Sequence, residues 1–312
     1  MTPTVARPVP VRAPAVAGSF YPAVPAALRD LVADLLRRAG AGTRPVHGPR
    51  PLGILVPHAG LVYSGTVAAA AWQRLTTPTS GVPPAGPPTV VILGTSHSAW
   101  LEGVGAWDAG AWRTPLGDVE IDEDLAAEVV RLGRPFAVNR AAHRDEHSIE
   151  VQLPLLATVA PGARIVPLTV SAGTGAAAVS AGRRLGALLG DLRRSGAEIH
   201  LAISTDIAHY PSDRDATRAT ELLVPAIVQL EPEEVAAREA AISAWDVAGM
   251  ACGMCGIQPT VLGLAALAAM GATGGTVLAQ ATSADAGAPA DRTVGYLAVE
   301  FRAAASGAPA GA

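Results

Sequence analysis

A chain of 312 residues, half of them hydrophobic, has ample apolar surface for one large core, and that content excludes a wholly disordered protein. Charged residues make up only 16%, scattered to a net charge of −4, so no basic cluster marks a nucleic-acid partner. Aromatic residues, at 4%, offer no ladder on which single strands could stack.

In chain order, the Pro-rich residues 1–11 read as a flexible tail with no apolar run of signal-peptide length. Helical patterns follow at 26–39, 65–75, 123–133, 148–159, 175–195 and 213–227, with another after Pro259. Apolar runs at 52–57, 89–94, 163–171, 199–205, 275–280 and 295–301 read as strands. Pro/Gly-rich stretches at 40–51, 76–88 and 283–292 read as loops, and 303–312 as a second flexible tail. Fully apolar strands interleaved with helices predict a single α/β domain over 12–302, its central sheet mostly parallel and covered by helices on both faces.

The uncharged stretch 248–284 is longer than a bilayer span. It is broken by Cys252, Cys255, Gln258, Pro259, Gln280 and seven glycines, so it reads as a buried helix from about Thr260 to Met270, then a turn and a strand. No membrane segment is expected. The chain's two cysteines form one C-x-x-C, which fits a redox dithiol, half a zinc site, or one functional thiol with an incidental neighbour. Without a disulfide framework or a signal peptide, the expected compartment is the reducing cytoplasm.

The chemistry lies at the strand ends. The run 52–57 ends in His58, the run 89–94 in Thr95, Ser96 and His97, and the run 199–205 in Asp206, with His209 three residues on. Open α/β sheets bind ligands at the carboxyl ends of their strands, so three strands delivering His or Asp there predict a site. In HRDEHSIEVQLP, His143 and His147 would share a helical face and form a metal pair, or the segment is a polar loop before the next helix. His147 and Glu150 are read as contacting substrate or orienting ligands. Cys255, before a helix, is a nucleophile or soft ligand, or a small buried hydrophobe. Signatures of nucleotide binding and serine hydrolysis are absent.

Seven segments in order carry a resemblance: AVAGSFYP (15–22), VPHAGLVYSG (56–65), ILGTSH (92–97), WRTPLGDVEID (112–122), DEHSIEVQLP (145–154), STDIAHY (204–210) and CGIQPTVLGL (255–264). On these the chain resembles the Memo family, whose prokaryotic members are called AmmeMemoRadiSam system protein B. The resemblance implies a fold similar to that of class III extradiol dioxygenases and a metal site of His58, His97 and Cys255. It implies His209, with Asp206 nearby, as the acid/base group; His147 completes the expected catalytic set. Iron or copper redox chemistry on a small organic substrate is the implied activity, with a thiolate where the dioxygenases hold a carboxylate. A non-catalytic ligand- or partner-binding pocket and a zinc hydrolase are the other readings. The family name further implies a link to a radical SAM protein and an AMMECR-type protein.

Overall fold

The computed structural model describes residues 10–41, 50–76 and 87–304; most of both expected tails, and the middle of the first two expected loops, lie outside the described residues. The strands are β1 (Val11–Arg12), β2 (Gly53–Val56), β3 (Thr89–Thr95), β4 (Gly103–Ala106), β5 (Ala111–Thr114), β6 (Gly117–Glu120), β7 (Phe136–Val138), β8 (Arg164–Ser171), β9 (Ile199–Ser204), β10 (Ile207–His209), β11 (Cys252–Met254), β12 (Ala272–Thr282) and β13 (Val294–Ala303). The helices are α1 (Pro25–Ala41), α2 (Leu61–Trp72), α3 (Glu123–Arg131), α4 (Leu153–Val159), α5 (Ala176–Arg194), α6 (Asp213–Val228), α7 (Pro232–Ser243) and α8 (Ile257–Ala269).

Ten strands form one sheet in the order β11-β10-β13-β2-β9-β3-β8-β4-β7, with β12 on β13; β1, β5 and β6 form a small second sheet. The centre, β2-β9-β3-β8, is parallel. It is flanked by antiparallel pairs, β13 on β2 and β4 on β8. The sheet is therefore mixed, where the sequence pattern predicts a mostly parallel one. Connectivity gives part of the reason: β12 returns to β13 over residues 283–293, which hold a 3-10 turn at Ser283–Ala286 but no α-helical crossover, so the pair runs antiparallel.

The central strands are buried on both faces, as their unbroken Val/Ile/Leu runs require. Helix α8 covers one face, held close by α5. A Cβ at Gly182 or Gly186 would lie 2.2 or 2.1 Å from a backbone oxygen of α8, so these positions must lack side chains for the two helices to meet. Cys255 stands just before the start of α8.

The segment 139–152, expected to be helical from 148, folds instead as short 3-10 turns before α4. It is held by Arg12, the first residue of the expected domain and the second of β1; Val11, placed in the tail from sequence, pairs with Ala111. The Arg12 guanidinium donates to the carbonyls of His143 (2.7 Å) and Glu146 (2.6 Å) and to Glu150 Oε2 (2.6 Å), and lies 4.1 Å from the Trp112 ring centre. Glu150 also accepts from the Ala15 and Val16 amides and the Tyr21 hydroxyl. Glu150 is fully buried by these partners, so it is a structural anion and not the substrate- or ligand-orienting group expected of it.

Breaking a buried pair leaves its partner charged and desolvated. Arg12→Ala should lower unfolding stability by about 3–5 kcal/mol in a denaturant titration. A loss no larger than a surface substitution's would show that Glu150 is not held as described.

Candidate metal centre

His58 lies two residues beyond β2, Asp206 two beyond β9 and His97 two beyond β3, and these three strands are neighbours in the sheet. Adjacent strands are about 4.8 Å apart, so side chains leaving their carboxyl ends converge. His147 joins them from the 3-10 segment. The rings of His58 and His97 are 5.2 Å apart, those of His97 and His147 stack at 4.5 Å, and His58 and His147 meet edge-on at 5.5 Å. Gly94 lets that segment lie directly on β3, since a Cβ there would be 2.4 Å from Ser148 Oγ.

The hydrogen bonds settle which ring nitrogens face the centre. Ser204 Oγ donates its single proton to the Ser148 carbonyl (2.7 Å) and accepts from Gln152 Nε2 (3.0 Å). Its contact with His58 Nδ1 (2.9 Å) must then be a bond that Nδ1–H donates. His58 Nε2 is left with a lone pair, 3.2 Å from Cys255 Sγ. Glu146 does the same for His97: Oε1 is 2.9 Å from Nδ1, which donates to it and leaves Nε2 open. Glu146 is fully buried and faces no Arg, yet it also accepts from the backbone amides of His97 (2.5 Å), His147 (2.9 Å) and Ser148 (2.9 Å). Burial opposes its ionisation, but the bond from His97 and the amide donors outweigh it, holding the carboxyl well below its usual range.

Burial pulls the His58 pKa down to about 3 against the attraction of Asp206, and lowers that of His147 as well. Asp206 accepts from the His58 amide (2.7 Å); burial opposes its charge, but His58 and His209 hold its carboxyl at about 2. Burial and Asp206 push the Cys255 thiol well above its ordinary value, so the start of α8 does not leave it a thiolate. Cys252 is raised to about 11 by burial and Glu239; its register partner on β10 is His209.

Metal-ligating atoms gather in two triads that share His58: His58, His97 and His147, and His58, Asp206 and Cys255, the atoms of each within 4.8 Å of one another. The expected trio of His58, His97 and Cys255 draws on both triads, and His147 stands among the donors as well as beside substrate space. His209 is 3.8 Å from Asp206 Oδ2, beyond hydrogen-bond reach, and its buried Nε2 has no hydrogen-bond partner. Both residues line a cavity of about 450 Å³ with the three clustered histidines. The His143–His147 pair does not form: His143 turns away, donating to the Gly105 carbonyl (2.8 Å) and accepting from Thr169 (3.0 Å). Glu146, Gln152 and Ser204 do the orienting. All three lie in segments singled out by resemblance, but only the folded contacts distinguish them from their neighbours.

The sequence profile of the family described as Memo-like protein matches residues 12–300. A MEMO1 family protein of Methanocaldococcus jannaschii is 34% identical over 92% of this chain and 97% of its own length. One from Methanopyrus kandleri is 37% identical, covering 93% and 99%. Another, from Aquifex aeolicus, is 33% identical, covering 93% and 99%. A crystal structure of an uncharacterized protein from Escherichia coli K12 aligns over 80% of this chain and 99% of that one at 15% identity, with a TM-score of 0.44. No helix among the described residues is long and apolar enough to cross a membrane.

The buried histidines set an acid limit on the fold. His58 (about 3), His143 (about 4) and His200, all lowered chiefly by burial, stay neutral in the fold but take up protons when unfolded, below their ordinary value near 6.5. Their folded pKa values are depressed, so stability is full above about pH 6.5 and falls with pH below it, by on the order of 1.4 kcal/mol per pH unit for each histidine still neutral. The carboxylates Glu146 and Asp206, also depressed, lose their contribution only at lower pH. Denaturant midpoints of metal-free protein should drop between pH 6.5 and 4.5; a flat profile over that window would contradict the neutral, buried assignment.

Proposed function

The chain belongs to the family of Memo-like proteins, and from its cluster of imidazoles and one thiol we propose that it binds a single iron or copper ion and carries out redox chemistry on a small organic substrate. The supporting observation is the pair of oriented lone pairs, His58 Nε2 and His97 Nε2, with Cys255 Sγ 3.2 Å from the former. Imidazole and thiol donors suit iron, copper or zinc and not magnesium or calcium, so the residues fit the group. His58, His97 and Cys255 would hold it, leaving coordination positions open, with Asp206 or His147 as further donors from the two triads.

A bound iron or copper supplies one-electron chemistry at the histidine wall of the cavity. The protein's own part is geometric and protonic. Ser204 and Glu146 keep the two imidazoles in the ligating tautomer, and outer partners of this kind are worth roughly 10–100-fold in metal affinity. His209, whose Nε2 has no hydrogen-bond partner, is placed to take or return a proton at a substrate group, with the Asp206 carboxylate 3.8 Å away. The resemblance to class III extradiol dioxygenases supports the same division between metal and acid/base group. It also motivates pull-down with a radical SAM protein and an AMMECR-type protein as a test of partnership.

Metal analysis of anaerobically purified protein should find about one iron or copper per chain, lost in His58→Ala, His97→Ala and Cys255→Ser, and kept in His209→Ala while turnover is lost. Unchanged metal in the first three variants would refute the ligand set. Loss in His147→Ala with retention in Cys255→Ser would assign the ion to the three histidines. Stoichiometric zinc would favour hydrolysis, and no metal at all a pocket used only for binding.

Because His58 and His147 are already neutral and the Cys255 thiol is not ionised, loading should release about one proton, from Cys255. A weakly buffered metal titration with a pH indicator should show it in the wild type and not in Cys255→Ser. Equal release by both proteins would remove the thiolate from the ligand set.

A further inference from the structure

The fold buries only part of the uncharged stretch 248–284. Helix α8 carries its middle into the core, but β12, 11 residues without a charge, lies at the rim of the main sheet. β12 pairs with β13 alone, and no other described strand meets its far edge. In an antiparallel pair every second residue turns its N–H and C=O away from the neighbour, so about five residues of β12 present both groups outward. Thr273, Thr276, Val277 and Gln280 are exposed along the strand.

An open edge is a template for another strand, and proteins ordinarily blunt it with charge, proline, brevity or a bulge. β12 has only bulges. Its register against β13 slips between Ala272 and Gly274 and between Val277 and Ala279, leaving regular stretches at 274–277 and 279–282 on either side of Leu278. Beside the edge runs a groove of about 380 Å³, lined by Val62, Thr66, Val67 and Ala70 of α2 and by Leu278 and Ala281 of β12. Val62 is 62% exposed and Val277 37%, so apolar knobs and an apolar hollow share one patch. The charged residues in the groove lining are Arg38 and Asp285, one of each sign.

We propose that β12 pairs antiparallel with β12 of a second copy of this chain, about a two-fold axis near Leu278, so that two sheets continue as one. A two-fold contact is self-complementary, and a residue near the axis meets its own copy. A charge there would face its like and weaken the pairing. Eleven uncharged residues in a row, in a chain where 16% are charged, meet that condition. Arg38 and Asp285 are of opposite sign, so the flanking groove meets its copy without net repulsion. A foreign strand would find on β12 no charge to select it, whereas a second copy matches it in length, in polarity and in knob and hollow. The histidine cluster takes no part in this contact, which stands or falls apart from the metal.

The test is sedimentation velocity of the full chain at micromolar concentration, with hydrogen exchange read at the β12 amides. The wild type should be a dimer. Val277→Lys and Val277→Glu, each alone, should weaken dimerisation roughly tenfold or more, because like charges then meet near the axis. An equimolar mixture of the two variants should recover the dimer, which a misfolded variant could not do. Amides of 274–282 should exchange slowly in the wild-type dimer and fast in either variant alone. A monomeric wild type would overturn the proposal and leave the edge to a foreign strand. Variants that stay dimeric, or a mixture that associates no better than its parts, would overturn it as well. Slow exchange in monomeric variants would do the same, by showing that residues of the same chain lie on the edge.

Discussion

A fully buried carboxylate with no arginine to neutralise it is the constraint on which this site turns. Glu146 is held by four N–H donors, three from the backbone and one from the His97 ring. An unpaired buried charge is expensive, so those donors cannot drift without a large cost. Fixing them fixes much else: the turn through His147 and Ser148, the rotamer of His97, and through the Ser148 carbonyl the hydroxyl of Ser204 that orients His58. Two imidazoles on different strands are thus set in one tautomeric state by a single chain of hydrogen bonds.

That chain has an outer anchor. Arg12 holds the carbonyls of His143 and Glu146 and the carboxylate of Glu150, so an irregular segment with almost no secondary structure is pinned from three points. Its rigidity comes from polar groups inside the protein rather than from a helix or strand. Networks of this kind gain strength from low dielectric when their charged members are satisfied, and Arg12, Glu146 and Glu150 each have several partners. The same arrangement explains the contrast between His143 and His147. The former is consumed by Gly105 and Thr169 in the anchor, and the latter turns to the cluster.

What could be read from sequence follows from which interactions are local. Strands β2, β3, β8 and β9 and helices α1, α5 and α6 declare themselves because burial on both faces, or on one helical stripe, leaves a periodic trace. The convergence of His58, His97 and Asp206 was legible for a related reason: a polar residue directly after a buried strand sits at the sheet's carboxyl edge. Strands β4 to β7, β10 and β11 have three or four residues each, too short for a period to show. Helix α7 was missed although Pro232 at its start and Glu233 and Glu234 in its first turn are ordinary helix signals. Arg12, at the very edge of the expected domain, carried no signal because its partners lie more than 130 positions away. No pattern in sequence separates Glu146, which orients His97, from Glu150, which pairs with an arginine; only their partners do.

The environment around the donors works against metal-free permanence as much as for metal binding. Burial keeps His58 and His147 neutral and Cys255 protonated, so without an ion the Cys255 thiol, with its proton, lies against the lone pair of His58. A cation entering between them would replace one S–H···N contact with two ligand bonds and would relieve the repulsion that now keeps the thiolate from forming beside Asp206. Desolvation, which costs stability in acid, is therefore the same property that would favour, in the proposed site, a cation able to take both an imidazole and a thiolate. A site exposed to water would lack both the acid limit and the selectivity.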